Sequence, residues 1–195
     1  MEWVNQLVEE VLKELARWAE ERPRRERSRI LFYCPSCTRT YSASRSTVRR
    51  RGPPECLRCK VIMVKYDEGF GKRRRELAEK ARRLLPKLIE IFVKAAEIYT
   101  RWPSPKWRLG DGYVVFKPGN DPTEFVYDFA QDVVHLLFFY FDLPQYREAA
   151  DYLITEIKRM GLRVLLDIYP PHADLSLLPP GAKFDAERAR YVVEL

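Results

Sequence analysis

The chain has 195 residues, 46% of them hydrophobic and 13% aromatic, enough for one substantial core or one core with a small appended module. That composition excludes a disordered chain, and no apolar run approaches the roughly 20 residues that a bilayer span needs. The net charge of +7 is unevenly placed: residues 22–83 hold 20 Lys and Arg against 6 Asp and Glu, and the remainder is acidic by 7.

A segment with such an excess calls for a polyanionic partner or an acidic neighbour, and the rest of the same chain is one candidate neighbour. The first residues, Met1-Glu2-Trp3-Val4-Asn5-Gln6, lack the basic and apolar regions of a secretory signal, so a cytoplasmic protein is expected. Only five residues are Asn or Gln, whereas 24 are Arg. Many charges with few thermolabile amides match the pattern of proteins from hot habitats, and a thermophilic source is expected.

Taken in chain order, residues 1–22 are expected to form an amphipathic helix. Trp3, Val4, Leu7, Val8, Val11, Leu12, Leu15, Trp18 and Ala19 recur at helical spacing, with Glu and Lys between them. Such a stripe must dock, either on the rest of the chain or on a protein partner. Pro23 stops the helix, and a basic linker runs to Arg29. Residues 30–66 hold all four cysteines between β-favouring segments, Ile30 to Tyr33, Thr38 to Ser42 and Val61 to Tyr66. The intervening Ser44 to Pro54 has no periodicity to bury and reads as a polar loop.

Residues 72–195 are expected to form a mostly helical domain. Lys72 to about Arg101 carries an apolar face, with Pro86 placed to kink or split the helix. Its start, Lys72-Arg73-Arg74-Arg75, puts four cations at the positive end of the helix dipole, which is unfavourable unless an anion is near. Residues 107–117 form a short hairpin around Gly110-Asp111-Gly112. Asp121-Pro122-Thr123-Glu124 reads as a helix start, opening a helix through Tyr140. Residues 144–160 form another, ended by Gly161. Residues 162–168 fit a strand or a further helix; a Pro-rich loop over 169–180 and a short terminal element follow. The expected fold is α+β: a mostly α-helical domain with a small three-stranded β module inserted after the first helix.

The cysteines carry the most specific signal. Cys34 and Cys37, then Cys56 and Cys59, are two Cys-x-x-Cys pairs separated by 18 residues, the spacing read as a zinc site. Each pair places two thiolates on one side of a tight backbone knuckle, and two facing knuckles make a tetrahedral cage. Tyr33-Cys34-Pro35-Ser36-Cys37 and Glu55-Cys56-Leu57-Arg58-Cys59, with their β-rich flanks, resemble the knuckles of the zinc-ribbon family over residues 30–66. That resemblance implies a three-stranded ribbon and a structural Zn²⁺. Rubredoxin-type iron sites share the pattern, and a redox dithiol pair is a further alternative. Zinc ribbons occur in transcription, ribosomal, replication and transposition proteins, so the resemblance implies a metal site more firmly than an activity. Its knuckles commonly carry Gly after the second cysteine. Thr38 and Lys60 stand there in this chain, at a cost of ~1 kcal/mol each if the backbone turns left-handed.

Around the cage, Arg39, Arg45, Arg49, Arg50, Arg51, Arg58 and Lys60, then Arg73, Arg74 and Arg75, are the candidate nucleic-acid contacts. Guanidinium forks match phosphate oxygens, and Ser44, Ser46 and Thr47 add neutral donors. Tyr33 and Tyr41 either stack on bases or pack across the ribbon sheet. His135, three residues after Asp132, and His172, near Asp174, read as packed histidines before they read as catalysts. No Gly-rich phosphate loop, nucleophile elbow or two-metal carboxylate cluster is present in the sequence.

The expected function is therefore non-enzymatic nucleic-acid binding, DNA or RNA, with a basic zinc ribbon contacting phosphate inside a larger transcription, ribosomal or genome-processing assembly. A protein–protein adaptor, using the N-terminal helix or the apolar run at 136–141, is the alternative. A nuclease-type enzyme ranks third.

Overall fold

The computed structural model describes residues 2–24, 26–101, 103, 105–169 and 175–195; His172 lies outside the described residues. In chain order the elements are α1 (Glu2–Glu20), β1 (Arg29–Tyr33), β2 (Thr40–Ser44), α2 (Arg45–Arg51), β3 (Val64–Lys65) and α3 (Gly69–Tyr99). They continue with β4 (Lys106–Gly110), β5 (Tyr113–Lys117), β6 (Glu124–Asp128), β7 (Val133–Phe138) and α4 (Pro144–Arg159). The chain closes with β8 (Arg163–Ile168), a 3₁₀ turn at Leu175–Leu177, β9 (Lys183–Asp185) and β10 (Arg190–Glu194).

The α+β class is as expected, but the second half is not mostly helical. Its centre is a seven-stranded sheet in the order β4-β5-β6-β7-β8-β10-β9. Every pairing in it is antiparallel except β7 with β8, which α4 connects as a crossover. The helix expected over Asp121–Tyr140 is instead β6 and β7. Asp121 does not cap a helix: its Oδ1 accepts the Thr123 N–H at 2.7 Å and closes a turn. Phe125 and Tyr127 alternate with Val126 across the sheet, and Val134, Leu136 and Phe138 with His135 and Leu137. The apolar run at 136–141 therefore starts in the central strand β7 and continues past its end, with Leu136, Phe138 and Phe141 buried.

One face of the sheet is covered by helices. Val114, Phe116, Phe125, Tyr127, Leu136 and Leu166 meet α3 and its neighbours in a single core, to which α1 contributes Leu7, Val11, Leu15 and Trp18. A lone 19-residue helix is marginal in water; burying four large side chains at roughly 1.5–3 kcal/mol each makes α1 part of the fold. The α1 stripe that the sequence offered to a protein partner is thus largely spent inside the molecule, whereas the 136–141 run is only half buried, with Tyr140 exposed. α3 runs unbroken through Pro86 from Gly69 to Tyr99, so the proline does not split it.

Residues 29–65 form the separate three-stranded antiparallel sheet, in the order β2-β1-β3. Its segment after β2, expected as a loop, is the short helix α2. Ser44 caps it, with Oγ accepting the Thr47 N–H at 3.1 Å, and Gly52 ends it with φ of 77°. No helix among the described residues is long and apolar enough to cross a membrane.

Candidate metal centre

Each cysteine pair is wound into the same backbone knuckle. In the first, the Cys34 N–H donates to the Arg39 carbonyl and the Thr38 N–H to the Cys34 carbonyl, both at 2.9 Å. In the second, Cys56 N–H donates to Val61 and Lys60 N–H to Cys56, both at 2.8 Å. The residues after the second cysteines, Thr38 and Lys60, adopt φ of 62° and 55°. The left-handed turn expected of a ribbon knuckle is therefore made here without glycine. Thr38 is also fully buried, with no partner for its hydroxyl. Because Lys60 is exposed, Lys60→Gly removes only backbone strain, and a gain of about 1 kcal/mol in denaturant-measured stability is expected.

The four Sγ atoms lie within 4.8 Å of one another, and Cys37 and Cys56 are 3.8 Å apart. Tetrahedral coordination at the usual Zn–S length of about 2.3 Å puts sulfurs ~3.8 Å apart, so the donor set fits a metal ion such as zinc. Cys34, Cys37 and Cys56 are buried and Cys59 half-buried. Burial pushes the Cys37 thiol well up and that of Cys59 up to about 11. Cys56 is drawn below the ordinary thiol value: burial raises it, but the N–H groups of Cys59 and Arg58 outweigh that. A bound cation would replace the protons that burial favours, so its affinity falls as pH falls.

The cage stands against the seven-stranded sheet. Gly112, in the β4–β5 turn at φ of 80°, backs onto Cys37: a side chain there would sit 3.2 Å from the Cys37 Cβ and 2.9 Å from the Ala130 Cβ. Gln131, in the β6–β7 turn, points its amide at Cys59 Sγ, 3.7 Å away. Arg58, between the second pair of cysteines, donates to the Asp111 carbonyl and, at 3.5 Å, to Gly112, and pairs with buried Asp128. Its guanidinium also lies 4.6 Å over the Tyr113 ring. Asp128 in turn accepts the Ala130 and Gln131 N–H groups at 3.0 Å, shaping the turn that faces Cys59.

The first knuckle is held from α3. Arg73 donates to the Pro35 and Ser36 carbonyls at 3.0 and 3.5 Å. Arg74 is buried: it donates to the Trp18 and Glu21 carbonyls at the end of α1 and to Asp111 Oδ1 at 2.9 Å. Arg75 lies 4.0 Å from Glu20. The anions that the α3 start required are thus supplied within the chain. Asp111 and Gly112 were visible only as turn residues, and Asp128 and Gln131 fell inside the helix expected from Asp121 through Tyr140; nothing local in the sequence ties any of them to cysteines more than 50 positions away.

The remaining candidates divide cleanly. Arg39, Arg45, Arg49, Arg50, Arg51 and Lys60 are exposed, and no ion pair reaches them among the described residues. Tyr33 packs against Phe70 and Tyr66 and donates to Asp67 at 3.1 Å, whereas Tyr41 is exposed. His135 lies on β7, between Val126 and Leu165, on the sheet face opposite the helices. Burial lowers its pKa, with Arg58 and Arg188 adding to that and Asp128 and Asp167 opposing it, so the ring is neutral. Asp132 is not its partner: it lies in the β6–β7 turn, with φ of 56°, and pairs with Lys80. No protein-family model, no curated protein and no solved structure matches the chain.

Proposed function

We propose that this chain binds nucleic acid without catalysing a reaction. In this reading a zinc-ribbon-like module with a structural Zn²⁺ presents Arg39, Arg45, Arg49, Arg50 and Arg51 to the phosphate backbone, and the sheet domain anchors that module within a larger transcription, ribosomal or genome-processing assembly. The observation that carries it is the pairing pattern. Arg17, Arg29, Arg83, Arg159 and Arg163 each face a carboxylate within the chain, but the five arginines from 39 to 51 do not, nor do Arg22, Arg24 and Arg27 in the basic linker that leads into the module. Exposed guanidinium groups with no carboxylate partner in the chain leave positive charge open to solvent along the module, and a polyanion supplies the missing counter-charge. Their forks suit phosphate oxygens, which lie at regular spacing on any strand. Four thiolates complete a tetrahedral shell and leave no position for a reactive water, in keeping with a structural ion.

Binding measured against salt tests this. With four or five phosphates neutralised, log K for duplex DNA is expected to fall against log salt with a slope of about −4. No binding to DNA or RNA at low salt would remove the proposal.

A further inference from the structure

Beside the cage, on the module's own surface, lies a groove of about 380 Å³ lined by Arg39, Tyr41, Pro54, Glu55, Leu57 and Met63. Its walls are mostly apolar, and two of its large side chains are open to water: Leu57 is 77% exposed and Tyr41 52%. Tyr41 takes no ring partner among the described residues, unlike Tyr33 and Tyr66. The groove's polar groups are of opposite sign, with the Arg39 cation and the Glu55 carboxylate both on its lining. β2 carries Tyr41 and runs directly into α2, so Arg45 follows Tyr41 by four residues, about 13 Å of strand.

We infer that this groove receives an unpaired nucleobase of a single strand, stacked on Tyr41, with the strand's phosphates on Arg39 and the α2 arginines. The inference rests on the nucleic-acid reading above and names the kind of nucleic acid. A nucleotide matches the groove in chemistry. Its base offers a flat apolar face to Tyr41 and Leu57, its amine edge offers a donor to Glu55, and its phosphate offers an anion to Arg39. A base inside a duplex has both faces stacked and cannot enter, whereas single strands are bound by a basic track beside aromatic platforms. Glu55 repels phosphate, which fixes the direction: sugar and phosphate toward Arg39, base edge toward Glu55. Cytosine offers that carboxylate an exocyclic amine, whereas thymine offers only its N3–H, flanked by two carbonyl oxygens that the carboxylate repels, so cytosine is preferred.

Fluorescence anisotropy with the intact, metal-loaded chain tests this, using labelled 12-nucleotide oligo-dC, oligo-dT and a mixed-sequence duplex at one salt concentration. The expected order is oligo-dC, then oligo-dT, then duplex. Tyr41→Ala is expected to weaken oligo-dC binding about ten-fold, with its salt slope unchanged, and Tyr41→Phe to bind as the parent. Circular dichroism of each variant establishes that the exposed substitution leaves the fold intact. If Tyr41→Ala and Leu57→Ser bind oligo-dC as the parent does while Arg49→Ala/Arg50→Ala/Arg51→Ala loses it, the base site is overturned and the phosphate surface stands. The groove would then be left to an apolar protein segment. If the parent binds duplex as tightly as oligo-dC, the single-strand assignment is likewise overturned. If it binds no oligonucleotide at all, both readings fall.

Discussion

Replacing Cys37 with Ser, or stripping the protein with a chelator, is expected to unfold residues 29–66 and abolish stoichiometric metal. The small sheet has little else to hold it: its core is Phe32, Ala43 and Met63 around the cysteines themselves. Metal binding to such modules is worth ~10 kcal/mol or more, far beyond what those few apolar side chains supply. The left-handed Thr38 and Lys60 and the unpartnered Thr38 hydroxyl add strain that metal binding of this size would offset. The loss should not stop at the module, because Cys37 and Cys59 are packed on the β4–β5 and β6–β7 turns. Metal analysis and hydrogen exchange together check this. Protection is expected to vanish across residues 29–66 and to weaken at 111–113 and 129–132, while α3 and α4 remain protected. Full protection of residues 29–66 without metal would contradict it.

The second large effect is expected from Arg58→Ala, at about 3 kcal/mol of stability. The substitution removes donors from the Asp111 and Gly112 carbonyls and strands the buried Asp128 carboxylate without its cation. Breaking a buried pair from one side costs roughly 3–5 kcal/mol, and the lower end applies because Arg58 keeps 21% of its side chain exposed. Asp128 retains the N–H groups of Ala130 and Gln131, which limits the loss. The double variant Arg58→Met/Asp128→Asn removes both charges while keeping an Oδ1 acceptor for the two N–H groups, and should recover part of the loss. A chemical-denaturation cycle measures the coupling; a cost below about 1 kcal/mol for Arg58→Ala would mean that the clamp holds nothing.

Arg58 also marks where sequence and structure part. The metal ligands were legible because two Cys-x-x-Cys knuckles are local geometry, set by residues within three positions of each other. Helices α1, α3 and α4 were legible because their apolar positions recur at helical spacing and because Pro23 and Gly161 punctuate them. β6 and β7 were not. Asp121-Pro122 imitates a helix start, and a run of Leu and Phe has no period that separates a central strand from a buried helix. α2 was missed because Ser44 to Arg51 buries no residue fully, so no stripe announced it; only the Ser44 cap did.

The same limit split the arginines. Ten basic residues around the cage looked equivalent in sequence, yet Arg58, Arg73 and Arg74 are turned onto carbonyls and carboxylates of the chain. That pairing depends on contacts such as Arg58 with Asp128 and Arg74 with Asp111, which are 70 and 37 positions apart. The thermophile-like abundance of arginine adds to the ambiguity, since surface ion pairs such as Arg83 with Glu79 use the same residue type.

Whether the unpaired arginines form a specific surface, or only add to net charge, is decided by one comparison at matched charge. Arg49→Ala/Arg50→Ala/Arg51→Ala is set against Arg17→Ala/Arg83→Ala/Arg163→Ala, whose arginines are also exposed but paired with Glu14, Glu79 and Glu194. Both variants lose three positive charges. Binding to a labelled oligonucleotide, titrated with salt, is expected to collapse for the first, with a slope shallower by about 2, and to change little for the second. Equal losses in the two variants, or none in the first, would contradict the assignment of this surface to nucleic acid.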